Sequence, residues 1–484
     1  MIMLLKKYFI GIFLCTLIFL QACAPTLPKA RKKSLKLPES FPSMSEDPKK
    51  KEAPKDLVSP NMTWKDFFRD SELSDLIEVA LKNNQELKIL EQEIQIANNE
   101  VMARQGEYLP RLGFEGDYGI EKTERFSTED ANGPVRFGRA GLVTSWEVDI
   151  WKRLRNSTKA AYYEYLSSIE GRKFMVTNLV SETAKTYYEL MALDNQLEIV
   201  ETYIGILEKV KVLVEHQQRA AKVTSLAVKR YEAEVLKNQS RRYELRQRIA
   251  ITENKLNVLV GRFPRKVKRD SDEFLELAIT RTNASVPAKL LNNRPDIKEA
   301  SLKLKAAKLD VKAAKARFYP ALSIEGSAGY ENFNSKHFNN SPTDAFYNLA
   351  ANISAPLLNR QAIKADYFSA NNEQIKAIYN YERTLLNAYS EVANQLTMIK
   401  NLDEIYELKS KEVEVLTDSI EIANILFRSA RIDYIEALLT QREALSAQVE
   451  LVEIKKEQLS AYIDLYKSLG GGWRDPTAKV KTKN

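Results

Sequence analysis

The side chains that most often perform catalysis or bind metals are scarce in this chain. Its 484 residues include only two histidines, His216 and His337, and two cysteines, Cys15 and Cys23. Zinc sites and nucleophilic triads need several such side chains together, and the nucleotide-binding pattern G-x-x-x-x-G-K-[ST] does not occur. The methionines are dispersed and form no thioether ladder for soft metals. We therefore expect no catalytic site, no cofactor and no metal site.

One cysteine does stand in a context that indicates chemistry. Lys6 and Lys7 precede an apolar stretch, Tyr8–Leu20, which at 13 residues is too short to span a bilayer of roughly 30 Å as a helix. The stretch ends in Leu20-Gln21-Ala22-Cys23, which is similar to the lipobox of bacterial lipoproteins, where the cysteine is acylated after cleavage. We predict lipidation of Cys23. The alternative is a coincidental cysteine after an ordinary signal sequence.

The segment after this cysteine is rich in proline and lysine. Residues 24–60 hold seven of the 16 prolines, with basic runs at 31–33 and 49–51. Such a composition predicts a stiff, extended arm. The arm could contact anionic lipid headgroups, or it could be a solvated tether. Loss of Lys6 and Lys7 lowers the formal charge from +8 to +6, and part of that excess lies in the arm, so no nucleic-acid partner is predicted.

The chain is internally duplicated. Offsets of 209 or 210 residues align prolines, glycines and acidic residues in the same order in both halves, which chance similarity between amphipathic helices does not explain. The matched pairs include Asn83 and Asn293, Pro110 and Pro320, Glu115 and Glu325, and Gly261 and Gly470. The predicted segments are a signal peptide (1–22), an arm (23–63), a first repeat (64–264), a linker (265–286), a second repeat (287–473) and a tail (474–484).

Each half contains two stretches in which apolar and polar residues alternate. They lie at about 111–120, 140–150, 321–331 and 346–356. A transmembrane barrel strand has this pattern, with apolar residues toward lipid and polar residues toward the lumen. A half-buried strand of a soluble sheet has it too. Four strands cannot close a barrel, so the membrane interpretation requires several copies of the chain.

Long helices account for most of the remaining chain. The segments 135–263 and 357–475 contain no proline. Leucines and other aliphatic residues recur every 3 or 4 positions over 190–214 and 402–427, which indicates coiled-coil packing. A continuous helix over 152–217 would be roughly 100 Å long at about 1.5 Å per residue. Such a length favours a tube or a scaffold over a globular core.

Several short motifs in a fixed order resemble those of one known family. They are Trp64–Asp70, Trp146–Trp151 with Arg153-Leu154-Arg155, Arg294-Pro295-Asp296-Ile297, Phe318-Tyr319-Pro320, and Leu469–Trp473. Together with the lipobox they are similar to the TolC-like outer-membrane factors of bacterial efflux and secretion systems, in the lipoprotein branch that includes OprM and NodT. The resemblance covers nearly the whole chain after residue 22.

The resemblance implies a fold class, partners and a location. The chain would be mainly α with a transmembrane β-barrel. As a homotrimer it would form a 12-stranded barrel, four strands per chain, in the outer membrane, continued by a long periplasmic α-helical coiled-coil tunnel closed at its far tip. Its partners would be a periplasmic adaptor and an inner-membrane pump, which supplies the energy, together with outer-membrane lipid. The leading hypothesis is a passive exit duct. The alternative is a lipid-anchored coiled-coil scaffold without a channel.

Two departures from the family pattern concern the tips of the helical hairpins. The family usually has glycine where this chain has Ala221 and Ala430, and alanine resists a left-handed backbone, so we expect these turns to be tighter or differently shaped. The resemblance also implies a gate just after the second tip. We place it at Ile435, Glu436 and Leu439, with Arg431 as a neighbour. Ordinary coiled-coil packing of the two aliphatic residues is the alternative.

Overall fold

The architecture was established from a computed structural model. It describes residues 24–27, 38, 62–121, 135–277, 293–332, 344–356, 358, 360–429 and 431–474. The predicted signal peptide, Cys23 and Ala430 lie outside the described residues. By packing, the chain divides into two units that each combine segments of both repeats. The first includes the four strands, within 93–169 and 299–382, and the second, called the helical unit, includes the described residues of 62–92, 170–298 and 383–474. We describe each unit separately.

The same order of elements occurs twice along the chain. The first repeat has helices α1, α2 and α3, strands β1 and β2, and helices α4 and α5. The second has α6, β3, β4, α7 and α8. The helices are α1 Trp64–Phe68, α2 Ser71–Asn83, α3 Gln85–Tyr108, α4 Arg153–Arg219, α5 Ser225–Leu259, α6 Pro295–Ala316, α7 Gln361–Arg428 and α8 Tyr434–Ser468. The strands are β1 Arg111–Glu121, β2 Val135–Val148, β3 Ala321–Asn332 and β4 Asp344–Ser354.

The four strands form one antiparallel sheet in the order β1-β2-β3-β4. Each strand pairs with the next along its length, with Arg111 opposite Ser145, Val148 opposite Leu322 and Ala321 opposite Ser354. β2 and β3 approach closely where Gly141 faces Gly329, since a Cβ at Gly329 would lie 2.5 Å from the Gly141 Cα. The prediction of four strands in alternating pattern is confirmed.

The bounds of β2 and β4 differ from those predicted, and β4 is Asp344–Ser354 where about 346–356 was expected. β2 begins at Val135, five residues before the expected start, because small and charged residues obscure the alternation there. It ends at Val148 because the next residue, Asp149, caps the first turn of α4. The Asp149 carboxylate accepts hydrogen bonds from the Leu154 and Arg155 backbone N–H groups, both at 3.0 Å. Burial raises the pKa of Asp149, but these N–H bonds and the Arg155 guanidinium together outweigh it and hold the pKa below its usual value.

The second unit is built on helices joined by packing and by ion pairs. α4 pairs with α5 and with α8, and α8 pairs with α7. The ion pairs are Glu201 with Arg246 at 2.8 Å, Lys185 with Asp464 at 3.1 Å, and Lys409 with Glu450 at 2.9 Å. Residues 265–277, between the repeats, are held against this unit by Arg269, which binds Asp194 on α4 and Glu253 on α5.

The largest apolar core of this unit joins the first helix, α1, to the last helix, α8. Trp64 and Phe67 of α1 are buried with Tyr187 of α4 and Tyr466 of α8. The rings of Phe67 and Tyr466 stack with centroids 4.2 Å apart, and the Tyr466 hydroxyl donates to the Met62 carbonyl at 2.8 Å. The Trp64–Asp70 motif therefore packs on Tyr466, whose ring lies so close to Gly471 that a Cβ there would be 2.3 Å from it.

The expectation that the turn at Ala221 is differently shaped was wrong. Ala221 has a φ of 56°, in the left-handed region. The Lys222 N–H donates to the Gln217 carbonyl and the Ala221 N–H to the Gln218 carbonyl, both at 2.9 Å, which is the Schellman arrangement that ends many helices. α5 and α8 end with the same bonds, but with Gly261 and Gly470 in the left-handed position. The bonds to the last carbonyls offset the strain of an alanine there.

Replacing Ala221 with glycine should therefore stabilise the protein. Glycine adopts this φ without strain, and we expect a gain of about 0.5–1 kcal/mol. Ala220→Gly is the matched control. Ala220 does not have a positive φ, so glycine there should destabilise by a similar amount. Thermal unfolding of the detergent-solubilised protein, followed by circular dichroism, checks the prediction. A lower melting temperature for Ala221→Gly would contradict it.

Candidate channel and gate

The register gives the sheet one apolar and one polar face. Even-numbered residues of β1, β2 and β3 share a face with odd-numbered residues of β4. Nearly all the large side chains on this face are apolar, and they are widely exposed: Phe114 is 74% exposed, Tyr347 90% and Ile353 76%. Exposed apolar area of this extent on a soluble protein would be unfavourable, whereas toward lipid it is stabilising.

The opposite face is mainly polar, and most of its charged side chains are acidic. It lines a concavity of about 560 Å³ whose lining includes Arg111, Glu115, Asp117, Arg139 and Glu325. Glu115 and Glu325 are matched positions of the two repeats. Because most of the charged side chains on this face are carboxylates, it attracts cations.

One arginine on the polar face is held by its neighbours. The Arg139 guanidinium lies 4.0 Å from the centre of the Phe346 ring, and its Nη2 donates to the Ser327 hydroxyl at 3.4 Å. Arg139 is also the register partner of Asp117 and Glu331. Sequence reasoning missed Arg139 because β2 was predicted to begin at residue 140. Extending the alternation backward from Gly141 would have placed it on the polar face.

The first and last strands have an open edge. Within the described residues, β1 pairs only with β2, and β4 only with β3. Each therefore presents unpaired backbone N–H and C=O groups, which need partners from other copies of the chain in a nonpolar environment. Among the described residues, no helix is long and apolar enough to cross a membrane.

The helical unit also has exposed apolar stripes. On α5 the stripe includes Leu236 and Tyr243, and on α7 it includes Leu408 and Val415. Leu236 lies eleven residues after the start of α5 and Val415 thirteen before the end of α7. At about 1.5 Å per residue the two positions are at similar heights above the hairpin turns. Two different apolar surfaces on one chain are what a closed ring of identical subunits requires.

The structure places the predicted gate residues at the start of α8. Ile435 is half-buried and packs against the cluster of apolar side chains that α4, α5, α7 and α8 share. Glu436 and Arg431 are exposed, and Leu439 is 39% exposed. Ile435 therefore has a packing role within one chain, while the other three face outward. No group of three potential metal ligands occurs among the described residues.

Solved structures that share this fold include outer-membrane channels. One is the open state of the MtrE outer membrane channel of Neisseria gonorrhoeae, which is 22% identical, with a TM-score of 0.80 over 93% of this chain and 99% of the other. Among curated relatives, the solvent efflux pump outer membrane protein SrpC of Pseudomonas putida is 28% identical over 84% of this chain and 87% of its own. The cation efflux system protein CusC of Escherichia coli is 26% identical over 86% and 89%.

The model of the family described as outer membrane efflux protein matches residues 76–262 and 286–471. The chain belongs to this family. It is located in the bacterial outer membrane and extends into the periplasm. The predicted fold class, a trimeric channel with four strands per chain, is confirmed. Three copies of the sheet then make a barrel of 12 strands.

A disulfide should form between neighbouring subunits if the two apolar stripes meet. We expect the double variant Leu236→Cys with Val415→Cys to give covalent trimers on non-reducing gels, because a disulfide needs Cα atoms about 4.4–6.8 Å apart. Either single variant should give none. Leu236→Cys with Leu408→Cys is the matched control, since Leu408 lies one heptad, about 10 Å, along α7. Equal crosslinking of the two pairs would contradict this register.

Proposed function

We propose that three copies of this chain form the passive exit duct of a tripartite efflux or secretion system. Substrates pass from an inner-membrane pump and a periplasmic adaptor to the exterior. The observation that carries the proposal is the two-faced sheet, with exposed apolar side chains on one face and a mainly polar face on the other, whose charged side chains are mostly acidic. A lipid-anchored scaffold would have no use for the exposed apolar face, which would have to be covered.

Lipidation of Cys23 stays part of the proposal. The residue lies outside the described part of the chain, and the support for it is the lipobox-like sequence Leu20–Cys23. An acyl chain would anchor the arm, while the apolar face of the sheet would provide the main attachment to the membrane. Apart from this covalent lipid, we propose no cofactor.

The gate proposed at the start of α8 combines apolar and acidic groups. Leu439 and Glu436 are exposed within one chain, so both are free to meet their copies from neighbouring subunits. Three Glu436 carboxylates brought together repel one another and favour cations at the constriction. Closure then depends on contacts between the aliphatic side chains, Leu439 and the outer part of Ile435, and on Arg431 as a countercharge.

Conductance through planar bilayers tests both the duct and its gate. The wild-type trimer should conduct with a preference for cations. Ile435→Ser with Leu439→Ser should raise the single-channel conductance several-fold because it removes the apolar contacts that favour closure, and Glu436→Gln should weaken the preference for cations.

Leu226→Ser is the matched control for these gate variants. Leu226 is the counterpart of Ile435 in the first repeat, at an offset of 209, and it is exposed where Ile435 is half-buried. This variant should leave the conductance unchanged. A wild-type trimer that does not conduct would contradict the duct. Gate variants that conduct like the wild type would place the constriction elsewhere.

A further inference from the structure

One charged residue stands on the apolar face of the four-stranded sheet. The positions that share this face are the even-numbered residues of β1, β2 and β3 and the odd-numbered residues of β4. Arg136, the second residue of β2, is the only Asp, Glu, Lys or Arg among these positions of the described strands. Its register partner on β1 is Ile120. Since a charge that faces hydrocarbon is unfavourable, the place of Arg136 along the strand decides what it can contact.

Arg136 lies at the exterior end of the sheet. Helices precede β1 and β3 and follow β2 and β4, so the connections to helices leave from the end of the sheet that holds Arg111 and Val148. The protein extends from the outer membrane into the periplasm, and this end of the sheet is therefore the periplasmic one. Arg136 and Ile120 lie at the opposite end, toward the outer leaflet of the membrane.

Aromatic residues on the apolar face place Arg136 at the depth of the lipid headgroups. Trp146 marks the periplasmic side of this face, and Tyr118, opposite Gly138, marks the exterior side. From Gly138 to Trp146 is eight residues of β2, about 27 Å along the strand at about 3.4 Å per residue, or about 20 Å of depth at a tilt of about 40°. This is close to the apolar band of about 25 Å that aromatic girdles enclose in such barrels. Arg136 lies two residues beyond Gly138, at the level of the outer headgroups.

The Arg136 side chain is exposed, and no carboxylate among the described side chains lies within 4 Å of it. Arg139, on the polar face of the same strand, is instead held by Phe346 and Ser327. A guanidinium stays charged at any pH that a cell experiences, and its planar fork matches the oxygens of a phosphate. Phosphate is the anion that lipid headgroups provide at this depth. The position of Arg136 therefore fits the phosphate of a membrane lipid.

We propose that Arg136 binds a phosphate of lipid A, the phosphorylated glycolipid of the outer leaflet, on the lipid-facing side of the barrel. Tyr118 and Tyr330 are 63% and 55% exposed on the same face, and their rings lie at the depth of the sugars and upper acyl chains of that lipid. Three copies of the sheet give three such sites in the trimer. The inference concerns the lipid that surrounds the barrel, so it rests on the fold and the location of the protein and not on conduction.

The test titrates the full-length, lipid-free trimer in detergent with four probes and measures binding by native mass spectrometry. The probes are lipid A with both phosphates, the same lipid after enzymatic removal of its phosphates, phosphatidylglycerol and inorganic phosphate. Lipid A should bind at least about tenfold more tightly than its dephosphorylated form, because an arginine–phosphate contact is charge-assisted. Phosphatidylglycerol should bind more weakly than lipid A, since it has no sugars for the two tyrosine rings to contact. Inorganic phosphate alone should not be retained.

Arg136→Gln should remove the preference for the phosphorylated lipid, with a loss of affinity for lipid A of about tenfold. Arg136→Lys should keep part of the preference, because an ammonium retains the charge but not the two-pronged geometry. Arg111→Gln is the matched control, since Arg111 is an exposed arginine on the polar face of β1. This control should bind lipid A like the wild type. In lipid-free detergent Arg136→Gln should have the melting temperature of the wild type, which separates lost binding from lost folding.

Four outcomes would overturn the inference. The first two are equal affinity of the wild type for the two forms of lipid A and an Arg136→Gln variant that keeps the preference. The third is phosphatidylglycerol binding that depends on Arg136 as strongly as lipid A binding does, which would assign the residue to any anionic headgroup. The fourth is retention of inorganic phosphate in place of the lipid. Conductance of the same trimers separates these results from the proposed function, because a trimer that conducts without preferring phosphorylated lipid A fails only as a lipid site.

Discussion

The unpaired edges of the four-stranded sheet are the constraint on which the rest of the structure depends. β1 and β4 each leave a row of backbone N–H and C=O groups without partners in the described chain. In hydrocarbon each such group costs several kcal/mol, so one chain cannot hold this sheet in a membrane. β1 of one copy must pair with β4 of the next. Since the strands alternate in direction, this pairing is antiparallel, and three copies give an even-numbered closed barrel.

The same constraint explains why the helical unit presents two different apolar stripes. A ring in which β1 meets β4 of the neighbour is a heterologous assembly, and its helices must also meet through unlike surfaces. The stripes on α5 and α7, with Leu236 and Val415 at similar heights, satisfy that need. The duplication supplies the two surfaces because it provides two versions of one helical hairpin in each chain.

The sequence predicted much of the fold and less of the candidate site. Alternation identified all four strands, because one face of each is mainly apolar and the other mainly polar over most of its length. Gly138 and Arg136 hid the first residues of β2, and with them the position of Arg139. The shape of the Ala221 turn was predicted wrongly. The prediction considered only the strain of an alanine at positive φ and left out the two backbone carbonyls that accept hydrogen bonds from the turn. A gate depends on contacts between subunits, which the pattern of one chain does not specify, so Ile435, Glu436 and Leu439 remain predictions, as does lipidation of Cys23.

Accessibility of spin labels along β1 tests the central claim most directly. Single cysteines at successive positions from Arg111 to Ile120, labelled in trimers reconstituted into lipid bilayers, report contact with dissolved oxygen, which concentrates in lipid, and with a water-soluble nickel chelate. The account predicts a period of two, with oxygen contact highest at Leu112, Phe114 and Tyr118 and nickel contact highest at Glu115 and Asp117. Uniform nickel contact at all positions, or no alternation, would contradict a membrane-spanning strand that separates lipid from an aqueous lumen.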